Sequence, residues 1–336
     1  MGGTVKPPTL VSYIVLLFLS SPAAAEKFVV FDPDGSTSTI VSGINAEGAV
    51  TGWSLQGEAS FNSFIRAPDG TLLSFNLRHA GKVLGTQAQA INADGVVTGT
   101  YYDEYGVQNG FIRAADGKIT KVHGPMGDLR SLSVNDQGDT AGYYWTGQRW
   151  AGFIRTADGA LTIVDPPDAS LTYAFSINDS RFVTGSYVRG SGTSHGFLFS
   201  PDGHFADITP LFRTSRYPGA LFVSAINGPG QITGQYETEA RTRGYLRGLG
   251  GSVSLFDVPN ARATRPTAIN DDGAIAGIFL DASDLSHGFV RGAHGRVQAF
   301  DPPGSSGTTV SGINIAGIAA GSFSDGTMWH GFVRAP

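Results

Sequence analysis

One short pattern recurs along the chain and restricts what it can fold into. It first occurs as "VSGINAEGAVTG" over residues 41–52: a small residue, a β-branched residue, Asn, two variable positions and Gly, with a second Gly after Thr. Its Asn returns at Asn45, Asn92, Asn135, Asn178, Asn227, Asn270 and Asn314, with spacings of 47, 43, 43, 49, 43 and 44 residues. A second anchor follows each Asn: "SFIR" from 63, "GFIR" from 110 and 152, "GFLF" from 196, "GYLR" from 244, and "GFVR" from 288 and 331. Units of this length match the period of a β-propeller blade. The predicted fold is therefore all-β, a seven-bladed β-propeller of four-stranded antiparallel blades.

Each unit divides into strands A to D. In the second unit they fall at 87–92, 96–101, 109–114 and 118–122. Asn92-Ala93-Asp94-Gly95 joins the first two, and Ala115-Asp116-Gly117 the last two, both hairpin signals. The 47 glycines suit many short strands with tight turns. The last unit stops after strand C, at "GFVRAP". The stretch "KFVVFDPDG" (27–35) matches the strand D "RVQAFDPPG" (296–304). The N-terminal strand is thus expected to complete the last blade and close the ring, leaving only short sheet edges.

The repeated motif has the properties of a joint. The residue before Ile/Val-Asn is always small: Gly43, Ala90, Ser133, Ser176, Ala225, Ala268 and Gly312. Strand A is the innermost, where large side chains would clash. Asn is expected to bond the backbone two residues on, and the Gly three later to supply a positive φ. Arg181 occupies that Gly position in the fourth unit, where strain is expected. Each strand B carries a glycine (Gly52, Gly99, Gly142, Gly185, Gly234, Gly277, Gly321), with the neighbouring blade as the expected approaching surface. Pro after the strand-D Asp, as in Asp32-Pro33, Asp165-Pro166 and Asp301-Pro302, blocks edge pairing.

The repeat resembles the HAF family of extracellular repeat proteins, named for a His-Ala-Phe motif. The matching residues are "HGF" at 195, 287 and 330, with "NGF", "AGF" and "RGY" elsewhere. The middle position is Gly and not Ala, and four units lack the His. The resemblance covers nearly the whole chain after its leader. It implies an exported repeat protein and gives no activity, so no catalytic residue is carried over.

Residues 1–25 have the form of a signal peptide. Lys6 precedes the apolar run "LVSYIVLLFLS", and Ala23 and Ala25 fit a small-x-small cleavage site. Residues 26–336 are then a single propeller domain, periplasmic or extracellular, with no membrane span. Cleavage leaves 22 basic against 28 acidic residues, net −6, which does not suit nucleic acid. The chain has no Cys, so neither disulfides nor thiol chemistry arise.

Signatures of chemistry are weak. His195, His287 and His330 occupy equivalent strand-C positions too far apart to share a metal, and are expected to bond neighbouring loops. The acidic turns at 32, 92, 135 and 270 lack the late Glu of a calcium loop, and Asx-turn chemistry explains them. The Arg closing the second anchor (Arg66, Arg113, Arg155, Arg247, Arg291, Arg334) is expected to hydrogen-bond between blades, with Phe199 in its place in the fourth unit. No G-x-S-x-G, H-E-x-x-H or P-loop occurs. No cofactor and no metal is indicated.

Binding residues are expected on the variable B–C and D–A connections. These carry Trp145, Arg149, Trp150, Arg213, Arg216, Tyr217, Arg241, Arg243 and Trp329, with Arg78 and Arg265. Trp, Tyr and Arg dominate binding hot spots. The sequence therefore points to a non-enzymatic exported scaffold that binds a glycan, envelope component or protein. The alternatives are a propeller hydrolase or lyase with acids near the central channel, and a purely structural surface protein.

Overall fold

A hairpin turn packed between repeats must satisfy its own backbone and that of its neighbour. The repeated Asn does both. Its Oδ1 accepts the N–H four residues on, at 2.8 Å in Ala49 and Val96 and 2.7 Å in Gln231, rather than two residues on as expected. Its Nδ2 donates to the next repeat: Asn45 to Asn92 O, Asn92 to Asn135 O, Asn135 to Asn178 O, Asn178 to Asn227 O, Asn227 to Asn270 O and Asn270 to Asn314 O. Asn314 Nδ2 then donates to Ala46 O at 3.2 Å, so the series returns to its start. All seven are buried. Asp would lack the donor, which is the physical reason for Asn.

The computed structural model describes residues 27–57, 60–79, 82–124, 127–190, 192–209, 219–239 and 241–336. The expected leader lies outside them, as do Arg213, Arg216 and Tyr217. Among the described residues there are thirty strands, in five four-stranded antiparallel sheets, one eight-stranded sheet that joins two such units, and one two-stranded hairpin. In the second repeat they are β8 (Thr86–Ile91), β9 (Val97–Tyr102), β10 (Gln108–Arg113) and β11 (Ile119–Val122), in that spatial order. A single parallel bridge, Thr242 to Ala263, links the fifth and sixth repeats. No sheet among the described residues closes on itself, and most ties between repeats run through side chains. No helix of the described residues is long and apolar enough to cross a membrane.

The N-terminal strand β1 (Phe28–Phe31) pairs antiparallel with β30 (Trp329–Arg334), from Phe28↔Arg334 to Phe31↔Gly331. It is the fourth strand of the last repeat's sheet, beside β29 (Ala319–Ser324) and β28 (Gly307–Ile313). One loop differs from expectation. β6 (Leu77–His79) and β7 (Lys82–Leu84) pair antiparallel there, anchored because Leu77 and Leu84 are buried.

Every repeat's strand A shifts register by one residue opposite strand B, as between Val41 and Gly43 or Val310 and Gly312. This bulge explains the strand-B glycine. A Cβ on Gly52 would lie 2.0 Å from Ile40 O and 2.9 Å from Phe64 Cζ. The close neighbour is therefore the bulged strand and the ring of the same repeat, not the adjoining blade. The turn glycines take positive φ, and Arg181 takes +61° in their place, as its position predicts.

The core lies between the sheets. Phe64, Phe111, Phe153, Phe197, Tyr245, Phe289 and Phe332, the aromatic ring of each second anchor, are buried. In four repeats the Arg two residues on crosses to the preceding repeat, but by stacking rather than by the expected hydrogen bond. Arg66 sits 5.1 Å from the Phe31 ring, Arg113 5.0 Å from Phe75, Arg291 4.9 Å from Phe256 and Arg334 4.6 Å from Phe300. Arg66, Arg113 and Arg155 also donate to the carbonyl of the next residue.

Candidate ligand-binding face

Hairpin connectivity sends the A–B and C–D turns to one end of the sheets and the longer B–C and D–A connections to the other. At the second end strand D finishes in a carboxylate in five repeats (Asp165, Asp207, Asp257, Asp301 and Asp32), and each needs a partner. Strand C supplies a basic one. His330 Nδ1 lies 2.7 Å from Asp32, and His287 Nδ1 2.6 Å from Asp301. His195 is 3.5 Å from Asp207. Arg149 donates to Asp165 at 2.8 Å, and Arg241 and Arg243 both donate to Asp257. The same carboxylates accept from strand A of the following repeat: Thr39 to Asp32 at 2.6 Å, Thr172 to Asp165 at 2.7 Å and Thr308 to Asp301 at 2.5 Å.

Basic group, Asp and Thr thus form a tie from one repeat to the next. The histidines have the structural role expected of them, with the strand-D Asp as main partner. Asp325 and Asp281, in the B–C loops, are secondary partners at 3.3 and 3.5 Å. Burial opposes the charge of His330, but its bonds to Asp32 and Asp325 outweigh this and raise its pKa. His287 is raised likewise by Asp301 and Asp281 against its burial. The hydrogen bond to Asp165 raises Arg149. Three of the expected binding arginines, Arg149, Arg241 and Arg243, are therefore engaged within the scaffold.

The aromatic candidates sit differently. Trp145 and Trp150 face each other across one hairpin, β13 (Thr140–Trp145) and β14 (Trp150–Arg155), with ring centroids 5.6 Å apart. Tyr143 packs edge-on against Trp150 at 5.2 Å and against Tyr173 at 4.9 Å. Tyr173 stacks on Phe175 at 6.1 Å. The guanidinium of Arg130 lies 5.3 Å from the Trp150 ring. All six are half-buried and span the third and fourth repeats. Burial, then Tyr143, raises the Tyr173 hydroxyl, so it stays a neutral donor. Sequence analysis singled out only the two tryptophans here. The available signal was the residue five before each Asn (Ile40, Gln87, Arg130, Tyr173, Phe222, Arg265, Thr309), which varies where its neighbours do not. Trp329 begins β30 in the last repeat and takes no part in this cluster. Arg78 is exposed on β6.

The first strands surround a central cavity of about 330 Å³, lined by Ser42, Gln89, Ser133, Phe175, Ser224, Thr267 and others of the same two rows. Several of its hydroxyls are already bonded. Ser311 donates to Val41 O at 2.7 Å, Thr267 to Val310 O at 2.7 Å and Ser224 to Pro266 O at 2.8 Å. No carboxylate lines it among the described residues. The acids of the A–B turns lie at the opposite mouth and accept backbone N–H groups of the preceding repeat: Asp136 from Ala93, Asp179 from Asp136, and Asp271 from Gly228. They tie repeats together, beyond the Asx turns expected of them.

Solved structures resemble this arrangement. The chain is 13% identical to a streptogramin B lyase, covering 92% of this chain and 97% of that one, with a TM-score of 0.59. Virginiamycin B lyase from Staphylococcus aureus is also 13% identical, over 93% and 100%, with a TM-score of 0.58. A puromycin hydrolase is 11% identical, over 89% of this chain and 52% of that one, with a TM-score of 0.60. The fold is a β-propeller. Identities this low carry the fold alone. No family model matches the chain, and no curated protein does.

Proposed function

We propose that the protein is an exported ligand-binding scaffold of the HAF-repeat kind. In this reading residues 26–336 form one closed seven-bladed propeller after removal of a signal peptide. The pairing of β1 with β30 and the returning series of Asn bonds support closure. The "HGF" triplets and the leader-like residues 1–25 support the family and the export.

The ligand is a glycan of the cell envelope, taken up at the B–C and D–A end. The observation that carries this is the half-buried cluster of Tyr143, Trp145, Trp150 and Tyr173 with Arg130 over Trp150. Rigid rings offer stacking faces at low entropic cost, and Arg130 makes no ion pair among the described residues. An enzyme draws less support, because among the described residues no acid lines the channel wall and the turn acids Asp136, Asp179 and Asp271 are bonded to backbone.

The test is a tryptophan-fluorescence titration with envelope glycans and peptidoglycan fragments. A saturable change that Trp150→Ala abolishes, with the glycan recovered intact, is expected. A shortened glycan would favour the enzyme. A flat response across the panel would sink the glycan reading.

A further inference from the structure

The junction between the fourth and fifth repeats holds a cavity of about 300 Å³ at the turn end, away from the aromatic cluster. Its walls include Phe182, Leu198, Ile226, Pro229 and Leu249, with Arg247 as the cation. It exists because several repeat positions change at once. The A–B turn of the fifth repeat is Asn227-Gly228-Pro229-Gly230, and its C–D turn is Gly248-Leu249-Gly250-Gly251. The repeat before it ends strand D in Ile208, whose N–H bonds to Gly196 O; Phe31 takes the corresponding place opposite Gly331.

These changes strip Arg247 of the compensation its counterparts have. Arg66, Arg113, Arg291 and Arg334 each face an aromatic ring of the preceding repeat. Arg66, Arg113 and Arg155 donate to a turn carbonyl, and an Asp stands three residues after each of them, at 69, 116 and 158. Arg247 has Gly250 at that place. Among the described residues it makes no ring contact, ion pair or hydrogen bond, and its Nε is buried without a partner. Burial pulls its pKa below the ordinary arginine value. A half-buried guanidinium remains protonated all the same, so its charge awaits an anion.

We propose that this cavity binds a small amphipathic carboxylate, its head on Arg247 and its hydrocarbon body against Phe182, Leu198 and Leu249. Arg presents planar donors that match a carboxylate, and no other charged side chain lines the cavity among the described residues; Asn178 and Ser180 are its only other polar side chains there. Leu249 is 66% exposed, so it is the wall that a ligand would cover. The site is independent of the glycan site, which occupies the other end of the sheets.

The experiment is isothermal titration calorimetry of the protein with octanoate, and with octanol as the neutral isostere. Saturable octanoate binding is expected, roughly tenfold or more tighter than octanol. Arg247→Gln should weaken octanoate by a similar factor while leaving octanol unchanged. Leu249→Ser should weaken both. Arg291→Gln and Trp150→Ala should change neither, which separates this site from the glycan cluster. Circular dichroism melts establish that each variant is folded. Equal binding of octanoate and octanol, indifference to Arg247→Gln, or no saturable binding would each overturn the proposal.

Discussion

Two junctions between repeats use the same positions for different ends. Where the last repeat meets the first, the Arg, Asp and Asn ties are all made: Arg66 on the Phe31 ring, Thr39 and His330 on Asp32, and Asn314 on Ala46 O. Where the fourth meets the fifth, the Asn bond persists, with Asn178 Nδ2 3.0 Å from Asn227 O, but the Arg has no ring and a cavity opens. The innermost tie is therefore the one that every junction between repeats keeps. The outer ties can be removed one at a time, and a removed tie leaves a charged, apolar-walled space.

The largest effect should come from breaking the complete junction. Deleting residues 26–34 removes β1, and with it Phe28, Phe31 and Asp32. Burial of the two rings alone is worth about 3–6 kcal/mol. The deleted protein should melt far lower or fail to fold, and an unchanged melting temperature would refute closure by this strand. Next is the innermost tie. Asn135→Asp keeps the acceptor for the Asp139 N–H but loses the donor to Asn178 O and places a charge near that carbonyl. A loss of about 2–4 kcal/mol is expected from denaturant melts. The same change at Asn178 should cost as much, although its junction is the irregular one. A much smaller cost at Asn178 would show that the fourth and fifth repeats do not depend on the Asn series.

The outer ties should separate the junctions. Arg66→Leu removes a ring contact and a bond to Ala67 O. Arg247→Leu removes neither and relieves an uncompensated buried charge. Arg66→Leu should be destabilising by about 1–2 kcal/mol, and Arg247→Leu neutral or stabilising. Equal losses would mean that Arg247 has a partner that its surroundings do not suggest.

Much of this comparison was legible in the sequence, because turn chemistry is local. The Asn-x-x-Gly turns, the positive φ of Arg181 and the strand-D likeness of residues 27–35 follow from neighbouring residues alone. The partners of those residues were less legible. That strand-B glycines face their own bulged strand depends on a register shift that no residue announces. The Arg–Phe stack joins residues 35 apart at Arg66 and 38 apart at Arg113, and looks in sequence like any strand-end Arg. The aromatic cluster needs strands from two repeats, so Tyr143 and Tyr173 read as ordinary strand residues while Trp145 and Trp150 stood out. The arginines proposed for binding were recognisable as loop cations, but their pairing with Asp165 and Asp257 appears only once strands C and D lie side by side.

The smallest effect concerns pH and sets the histidine-held strand ends apart from the arginine-held one. His330 lies between Asp32 and Asp325 and carries a raised pKa against the pull of burial. A group whose folded pKa is raised contributes its full stability below its unfolded value and loses it as pH rises through the folded one. The clasp that β1 makes on β30 should therefore be firmest in mildly acidic solution and weaken as pH climbs past the ordinary histidine range. Melting temperatures taken across that range should fall for the native protein. His330→Gln should flatten the fall in part, the remainder belonging to His287, which is raised by Asp301 and Asp281 in the same way. Asp257, where the fifth repeat meets the sixth, should contribute none of this slope, because arginines hold it there and do not titrate. A slope that survives replacement of both histidines would place the titrating group elsewhere and leave the clasp independent of pH.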